Sequence, residues 1–186
     1  METSLQPELD NAHAQPAVSD WVRKWAGHIP QGSPVLDLAS GSGRHSRFLA
    51  ALGHQVLAVD RNAAALATMA GAVGIETLAV DLEGAPWPLH GRSFGGVLVT
   101  NYLHRPLFAR IVESVAADGV LIYETFAMGN ERFGKPSNPD FLLRPGELLS
   151  VVAGEFRVIA YEDLQVGGPR PAMVQRICAV RSPDGP

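Results

Sequence analysis

The sequence predicts an α/β fold: a doubly wound, mostly parallel seven-stranded sheet with a C-terminal antiparallel hairpin. Three observations predict it. Five short apolar runs alternate with helical patterns between Pro34 and Thr125, the order that builds a parallel sheet with helices on both faces. Two alternating runs, 156–163 and 172–181, then follow with only Gly167-Gly168-Pro169 as a turn signal, and read as a hairpin. A chain of 186 residues, 46% apolar and 18% charged, suits one domain with its own core.

The elements follow in order. Residues 1–16 hold Pro7, Pro16 and polar groups without periodicity, and read as a flexible N-terminal arm. Val18, Trp21, Val22 and Trp25 share one helical face, which ends near Gly27. The run 34–39 is a buried strand. Arg44 to Leu52 is a helix, with Gly53 just past its end as a C-cap. Residues 55–60 form a second strand. Asn62 then caps an alanine-rich helix reaching about Ala72, and 75–80 is a third strand. Residues 82–93 carry Pro86 and Pro88 and no helical period. The fourth strand is 96–100. Pro106 opens a helix whose apolar face runs from Leu107 to Val115, because proline at the first turn loses no hydrogen bond. The fifth strand is 119–125. Residues 127–144 form an irregular stretch longer than most loops, the mark of a lid or of disorder, with a short helix near 145–153 behind it. The predicted domain spans 17–181, and 182–186 reads as a disordered tail.

Composition excludes several classes. Fifteen Lys and Arg against nineteen Asp and Glu give a net charge of −4, which argues against nucleic acid as a partner. One cysteine, Cys178, excludes an internal disulfide framework and fits a reducing, cytoplasmic setting. In the last strand it reads as a small buried hydrophobe. No apolar run reaches the roughly 18 residues of a membrane span. The polar, acidic start METSLQPELDNAHAQ is no signal peptide. The six histidines show no pair at ligand spacing, so no metal site is expected.

Val35-Leu-Asp-Leu-Ala-Ser-Gly-Ser-Gly-Arg44 carries the functional argument: a strand, a glycine turn and a helix start. Gly41 and Gly43 permit a tight turn and close approach of a ligand to the backbone. The opening helix offers free N–H groups to an anionic group such as a carboxylate. Asp60 ends the next strand, placed to accept ribose hydroxyls. Asp81 ends the third, placed to meet an adenine amino group. Asp37 lies in the binding turn, where a carboxylate repels a pyrophosphate and favours the sulfonium and ammonium of S-adenosylmethionine. Ser46 also stands where the dinucleotide pattern G-x-G-x-x-G has its third glycine.

Asp37-Leu-Ala-Ser-Gly-Ser-Gly-Arg44 resembles the first motif of the class I S-adenosylmethionine-dependent methyltransferases, D/E-x-G-x-G-x-G, with Ala39 at the first glycine. Asp60 and Asp81 match that family's ribose and adenine acids, and the terminal hairpin is similar to its last two strands. The resemblance covers roughly 17–181 and implies a Rossmann-like methyltransferase fold. It also implies cofactor contacts from Asp37, Ala39, Ser40, Gly41, Gly43, Arg44, Asp60, Arg61, Asp81, Leu82 and Asn101. Residues 41–62 are most similar to the tellurite-resistance type of small methyltransferase. That likeness fades past residue 100, so no tellurium or thiol acceptor is carried over. Residues 124–149 resemble a segment of a bacterial group of methyltransferases without an assigned substrate.

The acceptor, an unidentified small molecule, is expected beyond the fourth strand. Tyr102 and His104 are the candidates there, His104 either as a base or as the cap of the helix after it. Glu124 is a candidate acid for the acceptor site or a strand-end carboxylate held by loop amides. Arg144 is a candidate for binding an anionic acceptor. His45 points into the cleft or lies at the surface. Two other readings remain: an NAD-dependent oxidoreductase on the same sheet, and a binding module that holds S-adenosylmethionine without turnover. The sequence does not specify the oligomeric state.

Overall fold

The computed structural model describes residues 17–168 and 170–182. The expected arm, 1–16, lies outside the described residues, as does the tail beyond Ser182. Ser182 itself donates its backbone N–H to Glu155.

Five strands run parallel: β1 (Val35–Leu38), β2 (Val56–Asp60), β3 (Ile75–Ala79), β4 (Phe94–Thr100) and β5 (Val115–Phe126). β6 (Phe156–Val166) and β7 (Ala172–Arg181) form the antiparallel hairpin. The sheet order is β3-β2-β1-β4-β5-β7-β6, with β7 antiparallel to β5. Strand order reverses at β1, between β2 and β4, and ligands of such sheets bind beyond the strand ends at that point.

The helices are α1 (Asp20–Trp25), α2 (Arg44–Ala51), α3 (Ala63–Ala67), α4 (Phe108–Glu113) and α5 (Glu147–Val152). Alternate residues of each strand face opposite sides. Val35, Val56 and Leu98 therefore pack with Trp21 and Val22 of α1 and Leu49 of α2, while Leu36, Leu57 and Val99 pack with Ile111 of α4 and Leu148 of α5.

Three expectations are corrected. The alanine-rich helix is one short turn, although Asn62 caps it as expected, accepting the Ala65 N–H at 3.1 Å. Val115 belongs to β5, not to the preceding helix. Ser114 returns its hydroxyl to the Arg110 carbonyl at 2.8 Å and ends α4, after which Val115 pairs with Phe94. The 127–144 stretch is neither structureless nor detached. Ala127 bridges to Leu143, Asn130 is buried, and its amide donates to the Pro136 carbonyl at 2.9 Å.

Candidate active site

The turn after β1 is built on left-handed backbone. Ala39, Gly41 and Gly43 all have positive φ, between 55° and 80°. A side chain on Gly43 would strike the sulfur of Met69, so glycine is required there by packing. The space beside Gly41 is open. The Gly41 N–H donates to Asp60 Oδ2 at 2.8 Å, and the Asn62 N–H to Asp60 Oδ1 at 2.8 Å. Asp60 thus fixes the glycine turn against the end of β2.

A cleft of about 280 Å³ opens at the switch point. It is lined by Ala39 from the β1 end, Asp60 and Arg61 from β2, Asp81, Leu82 and Glu83 from β3, and Asn101 and Tyr102 from β4. Asp81 Oδ1 accepts the Glu83 N–H at 3.0 Å, turning the chain over the cleft. Ser40, Gly41 and Gly43 form the turn behind this lining. Two candidates sit elsewhere. Arg44 donates to the Ala17 carbonyl at 3.1 Å and holds the chain ahead of α1. Asp37 is buried under the turn, where Ser46 donates to its Oδ2 at 2.6 Å.

The electrostatics favour a cation. Three carboxylates, Asp60, Asp81 and Glu83, line the cleft against one guanidinium, Arg61. Burial pushes the Asp37 carboxyl up to about 7, although the Ser46 hydroxyl and Arg44 pull it down. Its Oδ1 is buried without a hydrogen-bond partner, as is Ser40 Oγ. Buried polar atoms without partners are uncommon in folded proteins. The acid-lined cleft suits a ligand with a sulfonium and an ammonium. A diphosphate would meet like charge there.

Residues 35–119, from β1 into β5, match the family model for the methyltransferase domain. That stretch is similar to a methyltransferase domain. No curated protein matches it. Among solved structures it is similar to TehB from Haemophilus influenzae, at 20% identity and a TM-score of 0.72, over 88% of this chain and 62% of that one. The chain thus spans less than two thirds of TehB. It is also similar to a TehB-like S-adenosylmethionine-dependent methyltransferase from Corynebacterium glutamicum, at 18% identity and a TM-score of 0.63, over 87% of both chains. A third is a 1,6-didemethyltoxoflavin-N1-methyltransferase from Burkholderia thailandensis, solved with 1,6-didemethyltoxoflavin and S-adenosylhomocysteine bound. It is 20% identical, with a TM-score of 0.63, over 87% of this chain and 76% of that one. The fold is the Rossmann-like methyltransferase fold expected from the sequence.

A second cleft, about 250 Å³, adjoins the first. Both are lined by Glu83, Asn101 and Tyr102. Tyr102 is set by Tyr123, whose buried hydroxyl donates to the Tyr102 carbonyl at 2.9 Å. The Tyr102 hydroxyl has no hydrogen-bond partner. Burial and the Glu83 carboxylate raise its pKa, so it stays protonated.

The remaining candidates line neither cleft. His104 flanks the site, with Nδ1 3.9 Å from Glu83, and caps the next turn through its carbonyl without a side-chain bond. Glu124 faces α1: it accepts from Ser19 Oγ at 2.7 Å and from Arg176 at 3.3 Å. Arg144 has an exposed side chain, while its carbonyl takes Gln175 at 2.6 Å. His45 is not at the surface. It is buried, its Nε2 accepts the Ser19 N–H at 3.2 Å, and Nδ1 meets Thr100 Oγ1 at 3.2 Å.

Sequence reasoning missed Glu83 and Arg105. Glu83 follows a strand-end acid by two residues, a position close enough to have been considered. Arg105 gave no local signal, since its partner Glu147 lies 42 residues away. Burial raises the Cys178 thiol to about 12, which removes it as a nucleophile. Among the described residues no group of three or more His, Cys, Asp or Glu could hold a metal ion. No described helix is long and apolar enough to cross a membrane.

Proposed function

We propose that this chain transfers a methyl group from S-adenosylmethionine to a small-molecule acceptor in a bacterial cytoplasm, with residues 17–181 acting as one domain. The observation that carries this reading is the acid-lined cleft at the switch point. Asp60 accepts the ribose hydroxyls while anchoring Gly41 and Asn62. Asp81 and Leu82 bind the adenine edge and face. Arg61 and Asn101 close the sides. The turn at Ala39, Ser40, Gly41 and Gly43 brings backbone close to the amino-acid end, with Arg44 at the helix start. Asp37, buried beneath the turn and hydrogen-bonded by Ser46, holds the turn from below.

When bound, S-adenosylmethionine supplies a methyl group already activated on a sulfonium. The chain's own contribution is then chiefly placement of the nucleophile in line and close. Tyr102, positioned by Tyr123, is well placed for that, since it lines both clefts together with Glu83 and Asn101. His104 and Glu124 act at most indirectly, through Glu83 and Ser19 respectively. Arg144 lies outside the lining of both clefts and is not placed to contact an acceptor there. The net charge of −4 favours small molecules over nucleic acid as partners.

Two features disfavour the alternatives. The cleft acids oppose the pyrophosphate of a dinucleotide. The 127–144 segment walls the second cleft through Pro136 and Phe141 without filling it, so an acceptor has room to enter. Calorimetry tests the reading: S-adenosylhomocysteine is expected to bind and NAD to give no heat. Binding of NAD alone would overturn it.

A further inference from the structure

We propose that the second cleft is the acceptor site and that it selects a small apolar amine. The proposal rests on the methyltransferase reading above. The cleft shares Glu83, Asn101 and Tyr102 with the cofactor cleft, and Leu103, Phe126, Pro136 and Phe141 are among the rest of its lining. Apolar side chains thus make up much of its wall, and an apolar body gains by leaving water there.

The charge of its lining decides the class. Glu83 is the one charged residue of the lining. Arg132, Lys135 and Arg144 lie on or beside the neighbouring segment, but none of them lines the cleft. A carboxylate or phosphate acceptor would place a second negative charge beside Glu83 with no cation in the lining of this cleft, Arg61 belonging to the adjoining one. An amine meets the carboxylate directly. The Tyr102 hydroxyl, buried and without a partner, offers the same nitrogen a neutral hydrogen-bonding oxygen. Polar groups are few and the apolar wall is large, the usual make-up of a small-ligand site.

The wall at Phe141 is held in place. Arg105 donates to the carbonyls of Asp140 and Leu142, both at 2.8 Å, the two residues flanking Phe141. Arg105 is therefore a positioning residue for the wall. In transfer, the bound ammonium first gives one proton to Glu83, which frees the nitrogen lone pair. That pair forms the nitrogen–methyl bond as the carbon–sulfur bond breaks; the broken bond's pair stays on sulfur, giving the neutral thioether, and the product leaves as the methylated ammonium.

A matched pair of probes tests the proposal in the full chain saturated with S-adenosylhomocysteine. Tryptamine and indole-3-propionate share a ring and differ in the sign of charge. Tryptamine is expected to bind at least tenfold more tightly. Glu83→Gln should cut that preference several-fold, and Phe141→Ala should weaken tryptamine binding. Phe141 is 51% exposed, so its truncation leaves the core intact. Equal or tighter binding of the acid, or no binding of either probe to the loaded protein, overturns the proposal. Failure of S-adenosylhomocysteine itself to bind is a separate result: it removes the cofactor reading, and this proposal falls with it.

Discussion

Arg105 grips Glu147 with two edges of its guanidinium, Nε 2.7 Å from Oε1 and Nη2 2.9 Å from Oε2. The same group takes the Asp140 and Leu142 carbonyls, so one side chain ties the loop after β4 to the 127–144 segment. Burial raises the Glu147 carboxyl, but the Arg105 hydrogen bonds, the Arg144 N–H and the charges of both guanidinium groups together outweigh it and leave the group below its ordinary value. The pair therefore stabilises the fold above the unfolded carboxyl pKa near 4.5, and the contribution fades as pH falls below it.

Arg105→Lys keeps the charge and loses the planar fork. Urea unfolding at neutral pH is expected to show a loss of about 1–3 kcal/mol. Limited proteolysis should cut the 127–144 segment faster, while calorimetry finds S-adenosylhomocysteine affinity unchanged. An equally large loss of cofactor affinity would mean that Arg105 serves the first cleft instead.

Asp60 holds two backbone amides and faces the cofactor cleft. Asp60→Ala leaves the Gly41 and Asn62 N–H groups without their acceptor and removes the charge. S-adenosylhomocysteine affinity is expected to fall at least about tenfold, the equivalent of roughly 1.4 kcal/mol. Asp60→Asn retains one carbonyl acceptor and should lose less. Unchanged affinity in the alanine variant would remove the ribose assignment.

The parts of the site written in local sequence were legible. A glycine turn needs left-handed backbone, and glycine advertises it. Asp60 and Asp81 stand at the ends of apolar runs, so the sheet itself places them at the cleft. What escaped depends on partners distant in sequence. Val115 has an apolar side chain at helical spacing from Ile111 and Val112, and only its pairing with Phe94 makes it strand. His45 stands two residues past the glycine turn and reads equally as a cleft or a surface residue. Its burial comes from Ser19 and Thr100, 26 and 55 residues away. The 127–144 segment lacks periodicity because Asn130, Arg105 and the bridge to Ala127 hold it, not a helix or strand of its own.

Ala39 is the visible departure within the motif, and it has φ 55°. A Cβ in left-handed backbone costs about 1–2 kcal/mol, while glycine gives back part of that through greater freedom in the unfolded chain. Ala39→Gly is therefore expected to stabilise by about 0.5–1 kcal/mol. For a chain of this size that raises Tm by about 1–4 °C, readable by calorimetric melting. A lowered Tm would show that the Ala39 methyl contributes more by packing than its backbone costs.

His45 and Asp37 drive stability in opposite directions with pH. Nε2 of His45 accepts the Ser19 N–H, so the ring proton sits on Nδ1 and points to Thr100. Burial, with help from Arg44, lowers its pKa to about 4. As pH falls from 6.5 towards 4, the unfolded chain takes up a proton that the folded chain refuses, and stability falls by about 1.4 kcal/mol per unit. Asp37 works the other way. Its folded pKa of about 7 means the native state keeps a proton that the unfolded chain releases near 3.8. Its contribution is full below 3.8 and is lost as pH rises to 7. Between about pH 4 and 6.5 the two slopes cancel. Asp37→Asn removes one of them. The stability of the variant relative to wild type should rise by about 1.4 kcal/mol per unit from pH 4.5 to 6.5 and level off above 7, in urea unfolding followed across that range. A difference independent of pH would mean that Asp37 is ionised throughout, and would withdraw the claim that burial holds its proton.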